Sequence, residues 1–236
     1  MRQFAAHATP FTRLSRMAGG VTCRLLNADG SIQACVSRRP SPMLLFFRLS
    51  GISRLLRGDA ARRLVGRHLS WLIGAAGRSY FDPYIANGSP LEVENISGAC
   101  LMLRRQAIDQ VGLLDEHFFM YFEDMDYCLR LRAAGWKLYY VPSAEIVHLV
   151  GQSSGGRMRD YSLHSYRSLF YLYRKHYSRW TEFLVRFLVL LASALRWTYN
   201  LARALSWGSS THRRNQRALS KVIRLCLSEI GPAALD

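Results

Sequence analysis

Apolar residues fall into short strand-like runs in the first two-thirds of the chain and into helix-spaced stripes toward its end. Val21-Thr22-Cys23-Arg24-Leu25-Leu26 predicts a strand. Asn27-Ala28-Asp29-Gly30 supplies turn residues, and Ser31-Ile32-Gln33-Ala34-Cys35-Val36 continues in extended form. Arg38-Arg39-Pro40-Ser41-Pro42 breaks the pattern. Over 43–77, apolar clusters alternate with arginines at three- and four-residue spacing: Leu45, Leu49, Ile52, Leu55, Leu56, then Leu64, Val65, Leu69, Leu72. That spacing predicts helices with a basic outer face, divided at Gly58-Asp59.

Residues 78–95, with Asp82-Pro83 and Asn87-Gly88-Ser89-Pro90, read as loop. Ile96 to Leu103 reads as a buried strand in which Gly98 contributes no side chain. Arg105 to Val111 is a short helix. Phe118 to Arg132 is a loop entering a helix that Ala133-Ala134-Gly135 ends with a C-terminal glycine. Lys137 to Val141 is a strand stopped by Pro142, and Ala144 to Val150 is a second one. Gly151 to Gly156 reads as a flexible connector. Helical stripes follow over 162–177 and 180–207, and Gly208-Ser209-Ser210 breaks the second. The chain divides at about this connector, into 1–155 and a helical region, 156–236. No uncharged run approaches the roughly 18 residues of a membrane-crossing helix; Phe187 to Leu195 is nine residues long.

Composition sharpens the picture. Half the residues are apolar, so the chain can bury a core and is not disordered throughout. The net charge is +16, and it is unevenly placed. Residues 1–90 carry net +10, residues 91–150 net −4, and residues 151–236 net +10. The basic parts suit an anionic partner such as head groups, a nucleotide-sugar, a lipid-linked phosphate or nucleic acid. The acidic middle suits a metal or acid/base chemistry. The five cysteines include no C-x-x-C pair, which argues against a disulfide framework or a zinc ribbon and points to reduced thiols. Residues 1–20 carry Arg2, Arg13 and Arg16 but no apolar core of a secretory signal.

Chemistry concentrates in Phe118 to Arg132. Glu123, Asp124 and Asp126 place three carboxylates within four positions, directly after Phe118-Phe119-Met120-Tyr121-Phe122. Arg130, four residues beyond Asp126, can pair with only one or two of them. Aromatic neighbours limit solvation, which raises a carboxyl pKa and suits a general base. The cluster also fits a hard divalent cation. Equally, acidic residues in a first helical turn complement the helix dipole and need no further role.

The ordered series of motifs decides between these. Ser97-Gly98-Ala99 precedes Leu101-Met102-Leu103-Arg104-Arg105. Then come Val111-Gly112-Leu113-Leu114-Asp115-Glu116 with Phe118-Phe119, and Tyr121 to Arg130 around Glu123-Asp124. Gly135-Trp136, Val141-Pro142-Ser143-Ala144, and His148 before Gly151-Gln152-Ser153 complete it. This series resembles the C-terminal half of the catalytic domain in family 2 glycosyltransferases, especially the bacterial rhamnosyltransferase type. Upstream, Leu25 to Gln33 with Pro40-Ser41-Pro42 is similar to the segment before the acceptor-side helices.

The resemblance implies an α/β fold, the C-terminal portion of a GT-A nucleotide-diphospho-sugar transferase domain followed by an amphipathic helical tail. It implies an inverting transfer of a sugar such as rhamnose, in which Asp124 is the general base. Glu123 and Asp126 would hold the acceptor or orient Asp124, and Gly98-Ala99 would let the backbone approach the sugar. His148 would help hold a divalent cation, Mg or Mn. The implied partners are a nucleotide-diphospho-sugar donor and a saccharide or lipid-linked acceptor in cell-surface polysaccharide synthesis. The implied location is cytoplasmic, peripheral at the inner face of the membrane, where the Trp180-to-Tyr199 stripe with Arg179, Arg186, Arg196 and Arg203 suits head groups.

Relatives begin with a nucleotide-binding half carrying a D-x-D-like metal motif, and no such half precedes this segment. Asn27-Ala28-Asp29 reads as a turn instead. The expectation is therefore an N-terminally truncated transferase, with donor binding and catalysis by this chain in question. The alternatives are a catalytically dead membrane-associated protein and a basic nucleic-acid binder. No nucleic-acid-reading motif is found, so no nucleic acid is expected.

Overall fold

The computed structural model describes residues 16–50, 89–149, 162–207 and 210–228. The helices expected over 51–77, the Gly58-Asp59 divide, the Asp82-Pro83 loop, the Gly151–Gly156 connector and the first fifteen residues lie outside the described residues. The described residues form two units. One comprises 16–39, 89–118 and 122–149, and the other comprises 40–50, 119–121, 162–207 and 210–228.

The first unit is a mixed α/β layer. Strand β1 (Ala18–Leu26) turns through Asn27-Ala28-Asp29-Gly30 into β2 (Ile32–Gln33), with Leu25 opposite Gln33. Asp29 behaves as a turn residue. Its Oδ1 accepts from the Ser31 N–H (3.0 Å) and hydroxyl (2.6 Å), which hold its pKa low, and Gly30 takes φ +79°. Strand β7 (Lys137–Val147) pairs in parallel with β1, and β4 (Leu91–Val93) pairs antiparallel with β7. Strand β6 (Met102–Leu103) pairs antiparallel with the start of β1. A separate two-stranded sheet joins β3 (Val36–Ser37) to β5 (Asn95–Ile96). This is the α/β class expected.

Three local expectations need correction. Strand β1 starts at Ala18 and includes Gly19-Gly20. The reason is packing: a Cβ on Gly19 would stand 2.6 Å from Trp136 Cβ, and one on Gly20 2.8 Å from Leu138 Cδ2. Second, Pro142 does not end a strand. The β1–β7 register steps from Cys23↔Val141 to Arg24↔Glu145, so a bulge takes Pro142, which has no N–H to give, out of the ladder. Third, Ile96 to Leu103 is not one strand. It is β5, a turn at Ser97–Cys100 closed by Cys100 N–H to Ser97 O (3.4 Å), and β6.

Helix α2 (Arg105–Val111) and helix α3 (Glu123–Ala133) cover this layer. Helix α3 ends at Gly135, whose φ of +87° no larger side chain adopts easily. Ile96, Ala107, Tyr127, Cys128, Leu131 and Leu138 make the core between helices and sheet. A second cluster, Cys23, Leu25, Cys35, Tyr140 and Ala144, lies along β1 and β7.

The second unit is helical: α1 (Pro42–Ser50), α4 (Ser162–His176), α5 (Arg179–Trp207) and α6 (Ser210–Leu227). Leu169, Phe170 and Tyr173 on α4, Val185 and Val189 on α5, and Val222 and Cys226 on α6 are buried. Glu182 is buried too and is paired with Arg174 (3.1 Å) and Arg186 (3.0 Å). Toward its start the opposite face of α5 exposes Trp180, Phe183 and Phe187, Trp180 at 82%, while Leu191 and Leu195 farther along line a groove shared with Phe46 and Leu49 of α1. No helix among the described residues is long and apolar enough to cross a membrane.

Candidate functional site

The site is built from one turn and one helix start. Helix α3 follows two residues in the left-handed region, Tyr121 (φ +66°) and Phe122 (φ +69°), neither of them glycine. Each costs of order 1 kcal/mol or more, and such strain collects at functional positions. The kink swings the chain so that Glu123 and Asp124 open the helix, and the Asp126 N–H makes the first helical bond to Phe122 O (2.9 Å).

Asp124 is half-buried, and both of its oxygens carry a backbone donor. Gly98 N–H donates to Oδ2 at 2.8 Å, and Met125 N–H donates to Oδ1 at 2.7 Å. Each oxygen keeps a second lone pair. The carboxylate is thereby fixed in rotamer, with reach left for one more proton or ligand. Gly98 and Ala99 are the central residues of the Ser97–Cys100 turn, so the segment read as a strand is instead the arm that grips Asp124. A Cβ on Gly98 would lie 3.5 Å from Asp124 Cβ, an ordinary contact. The close approach at Gly98 is to Asp124 itself.

The other two carboxylates diverge from it. Glu123 is partly buried, and its Oε2 is buried without a hydrogen-bond partner; burial pushes its pKa up. Asp126 is fully buried, and its Oδ2 accepts from Arg130 Nε at 2.9 Å. The Arg130 guanidinium also reaches Val111 O (2.6 Å) and Leu113 O (2.8 Å) and lies 4.7 Å over the Tyr127 ring. Asp126 and Arg130 thus tie α3 to the end of α2, and a carboxylate with no exposed surface cannot itself touch an acceptor. Of the two roles expected for it, holding the acceptor or orienting Asp124, its burial fits the second.

His148 sits just past β7. Its N–H donates to Leu26 O (2.9 Å), and its Nδ1 lies 2.6 Å from Gln33 Oε1. Among the described residues no three His, Cys, Asp or Glu side chains converge closely enough to hold a metal ion. Trp136, after Gly135, is partly buried against the core and donates to Gln110 Oε1 (2.8 Å).

Sequence reasoning missed two contributors. The Met125 amide carries no side-chain signal at all. The left-handed pair Tyr121-Phe122 had none either, because aromatic residues are poor candidates for positive φ.

The family model described as "Glycosyl transferase family group 2" matches residues 84–233. The chain is similar to the N-acetylglucosaminyl-diphospho-decaprenol L-rhamnosyltransferase of Mycobacterium tuberculosis, 36% identical over 131 residues. That match takes in 54% of this chain and 39% of the relative. It is also similar to rhamnosyltransferase WbbL of Escherichia coli K12, 39% identical over 56 residues, 24% of this chain and 21% of the relative. A hexosyltransferase of low-salt glycan biosynthesis from Haloferax volcanii is 30% identical over 56 residues, 24% of this chain and 18% of the relative. The chain thus spans about two-fifths of the first of these relatives. No solved structure gives a significant match.

Proposed function

This chain belongs to glycosyl transferase family group 2, and on that premise we propose that it transfers a sugar from a nucleotide-diphospho-sugar to a hydroxyl with inversion, using Asp124 as base. The observation that carries the reading is the Asp124 carboxylate, half-buried, with both oxygens gripped by backbone N–H groups and a lone pair left on each.

The step is a single displacement. The acceptor hydroxyl gives its proton to an Asp124 oxygen as its own oxygen bonds to the anomeric carbon. The bond from that carbon to the diphosphate oxygen breaks, and the nucleoside diphosphate leaves. An alcohol is a poor nucleophile at neutral pH, so a positioned base contributes about 10²- to 10⁴-fold. One-step attack opposite the leaving group requires inversion. Glu123, next to Asp124 in the first turn of α3, has its orphan Oε2 buried, which suits orienting Asp124 better than touching the acceptor. Asp126 orients Asp124 indirectly, by holding the first turn of α3 through Arg130. Gly98 and Ala99 present the turn that fixes Asp124. The resemblance gives His148 to a divalent cation, Mg or Mn, which would offset the charge developing on the departing diphosphate.

The rhamnosyltransferase names of two relatives favour rhamnose as the sugar, and one relative's name favours an acceptor of the saccharide-diphospho-lipid kind. An acceptor on a lipid would be met at a membrane surface, in this reading the inner face. The apolar face at the start of α5, with exposed Arg217, Lys221 and Arg224 on α6, suits an anionic surface.

The test is transfer from nucleoside-diphospho-rhamnose to N-acetylglucosaminyl-diphospho-polyprenol by the full chain, with the product's anomeric configuration read by NMR. Asp124→Asn is expected to lose at least about 100-fold in kcat, as for a removed general base, while its melting temperature stays near wild type. Retention of configuration, or an Asp124→Asn enzyme of full activity, overturns the assignment.

A further inference from the structure

The turn that grips Asp124 is surrounded by thiols. Ser97 N–H, at its start, donates to Cys35 O (2.8 Å). Cys100 closes it, and the Cys100 Sγ lies 3.6 Å from the Sγ of Cys23 on β1. Cys100 ends that turn and leads through Leu101 into β6, whose Met102 pairs with Val21 of β1, so the two thiols meet on neighbouring chain segments.

We infer that Cys23 and Cys100 form a reversible disulfide modification site, and that closing it displaces the Gly98 arm from Asp124. The two thiols differ in the way such a pair needs. Cys100 is partly exposed, and the Cys23 S–H donates to its sulfur, which stabilises a Cys100 thiolate and lowers its pKa. Cys23 is fully buried, and the same contact and its burial raise its pKa. Cys100 is therefore the attacking thiol and Cys23 the resolving one.

With a small-molecule disulfide as oxidant, the Cys100 thiolate attacks one sulfur and releases one thiolate. Cys23 then attacks the Cys100 sulfur of the mixed disulfide, loses its proton to water, and releases the second thiolate. Two protein thiols are oxidised, and the oxidant is reduced to two thiols. The sulfurs close from 3.6 Å to about 2.05 Å. Cys100 is two residues from Gly98 in a four-residue turn whose other end is bonded to Cys35 O, so the contraction is taken up in the turn. A misplacement of about 1 Å at a reacting group can cost about 100-fold in rate.

The experiment uses the full wild-type chain, equilibrated in reduced and oxidised glutathione at graded ratios, alkylated and mapped without reduction. Trypsin cuts after Arg16, Arg24, Arg38, Arg78 and Arg104, which puts Cys23, Cys35 and Cys100 in separate peptides. A Cys23–Cys100 linked peptide is expected, growing as the buffer becomes more oxidising and reversed by dithiothreitol. Cys35→Ala retains the link, and Cys100→Ser forms none. A Cys100–glutathione adduct with no internal link, or a link through Cys35, overturns the site. The effect on transfer rests on the Asp124 reading. There, the linked chain is expected to lose about tenfold or more in rate and recover it on reduction. An unchanged rate in the linked chain overturns the gating. A link that forms in a chain without transfer activity in either state supports the thiol site and refutes the proposed function instead.

Discussion

Asp126→Asn separates a structural carboxylate from an acceptor-binding one. The substitution keeps the side chain's shape and removes its charge. Asp126 is fully buried, whereas the Arg130 side chain retains 20% exposure and two carbonyl partners, Val111 O and Leu113 O. Removing one partner of a buried ion pair costs about 3–5 kcal/mol. The residual solvation of Arg130 and its two carbonyls put this case at the low end, about 3 kcal/mol. At about 2–4 °C per kcal/mol for a chain of this size, that is a fall in Tm of about 6–12 °C, read by circular dichroism. The double variant Asp126→Asn/Arg130→Met should cost less than the sum of the two single variants, because it leaves no uncompensated guanidinium. A Tm within a degree of wild type, combined with lost transfer activity, would refute the reasoning and return Asp126 to the acceptor.

Gly19→Ala should destabilise by about 1–3 kcal/mol, since its Cβ would stand 2.6 Å from Trp136 Cβ; a urea melt reads the shift. Burial raises the Glu123 pKa, so the wild type loses stability as pH rises through and above about 4.3, the unfolded value. Glu123→Gln is therefore expected to melt above wild type at pH 7, and the gap should close below about pH 4. An equal gap at both pH values would show that the buried charge is not its cause. On the outer face of α5, Trp180→Glu combined with Phe183→Glu should weaken co-sedimentation with vesicles rich in anionic phospholipid and leave the Tm unchanged, because both side chains are mostly exposed. Binding unaffected by these changes would remove α5 from the membrane surface.

Much of the architecture was legible from periodicity. The 162–176 and 179–207 helices follow the apolar stripes, and the Asn27–Gly30 turn follows its residue types. The acidic helix start was legible too, because Glu123-Asp124 follows a run of aromatics and precedes a helix closed by Gly135. What was not legible is tertiary. Gly98 reads as a gap in a strand until Asp124, 26 residues away, is seen to accept its amide. Asp126 and Asp124 have the same side chain two positions apart; only the turn of the helix sends one into the core and leaves the other within reach. Pro142 is a reliable stop within a strand unless the partner ladder can skip it, and no local pattern announces that it can.

The bulge at Pro142 has a consequence for how this fold can change in length. Three residues of β7, Pro142 to Ala144, face no counterpart on β1, yet Arg24 and Glu145 meet at 2.7 Å immediately after them. The sheet thus contains its own slack. An insertion or deletion elsewhere in β7 would throw every later side chain onto the wrong face. Within these three positions the spare chain can absorb it, so the span between the two halves of the strand is where new length can enter the sheet without moving the turn that grips Asp124.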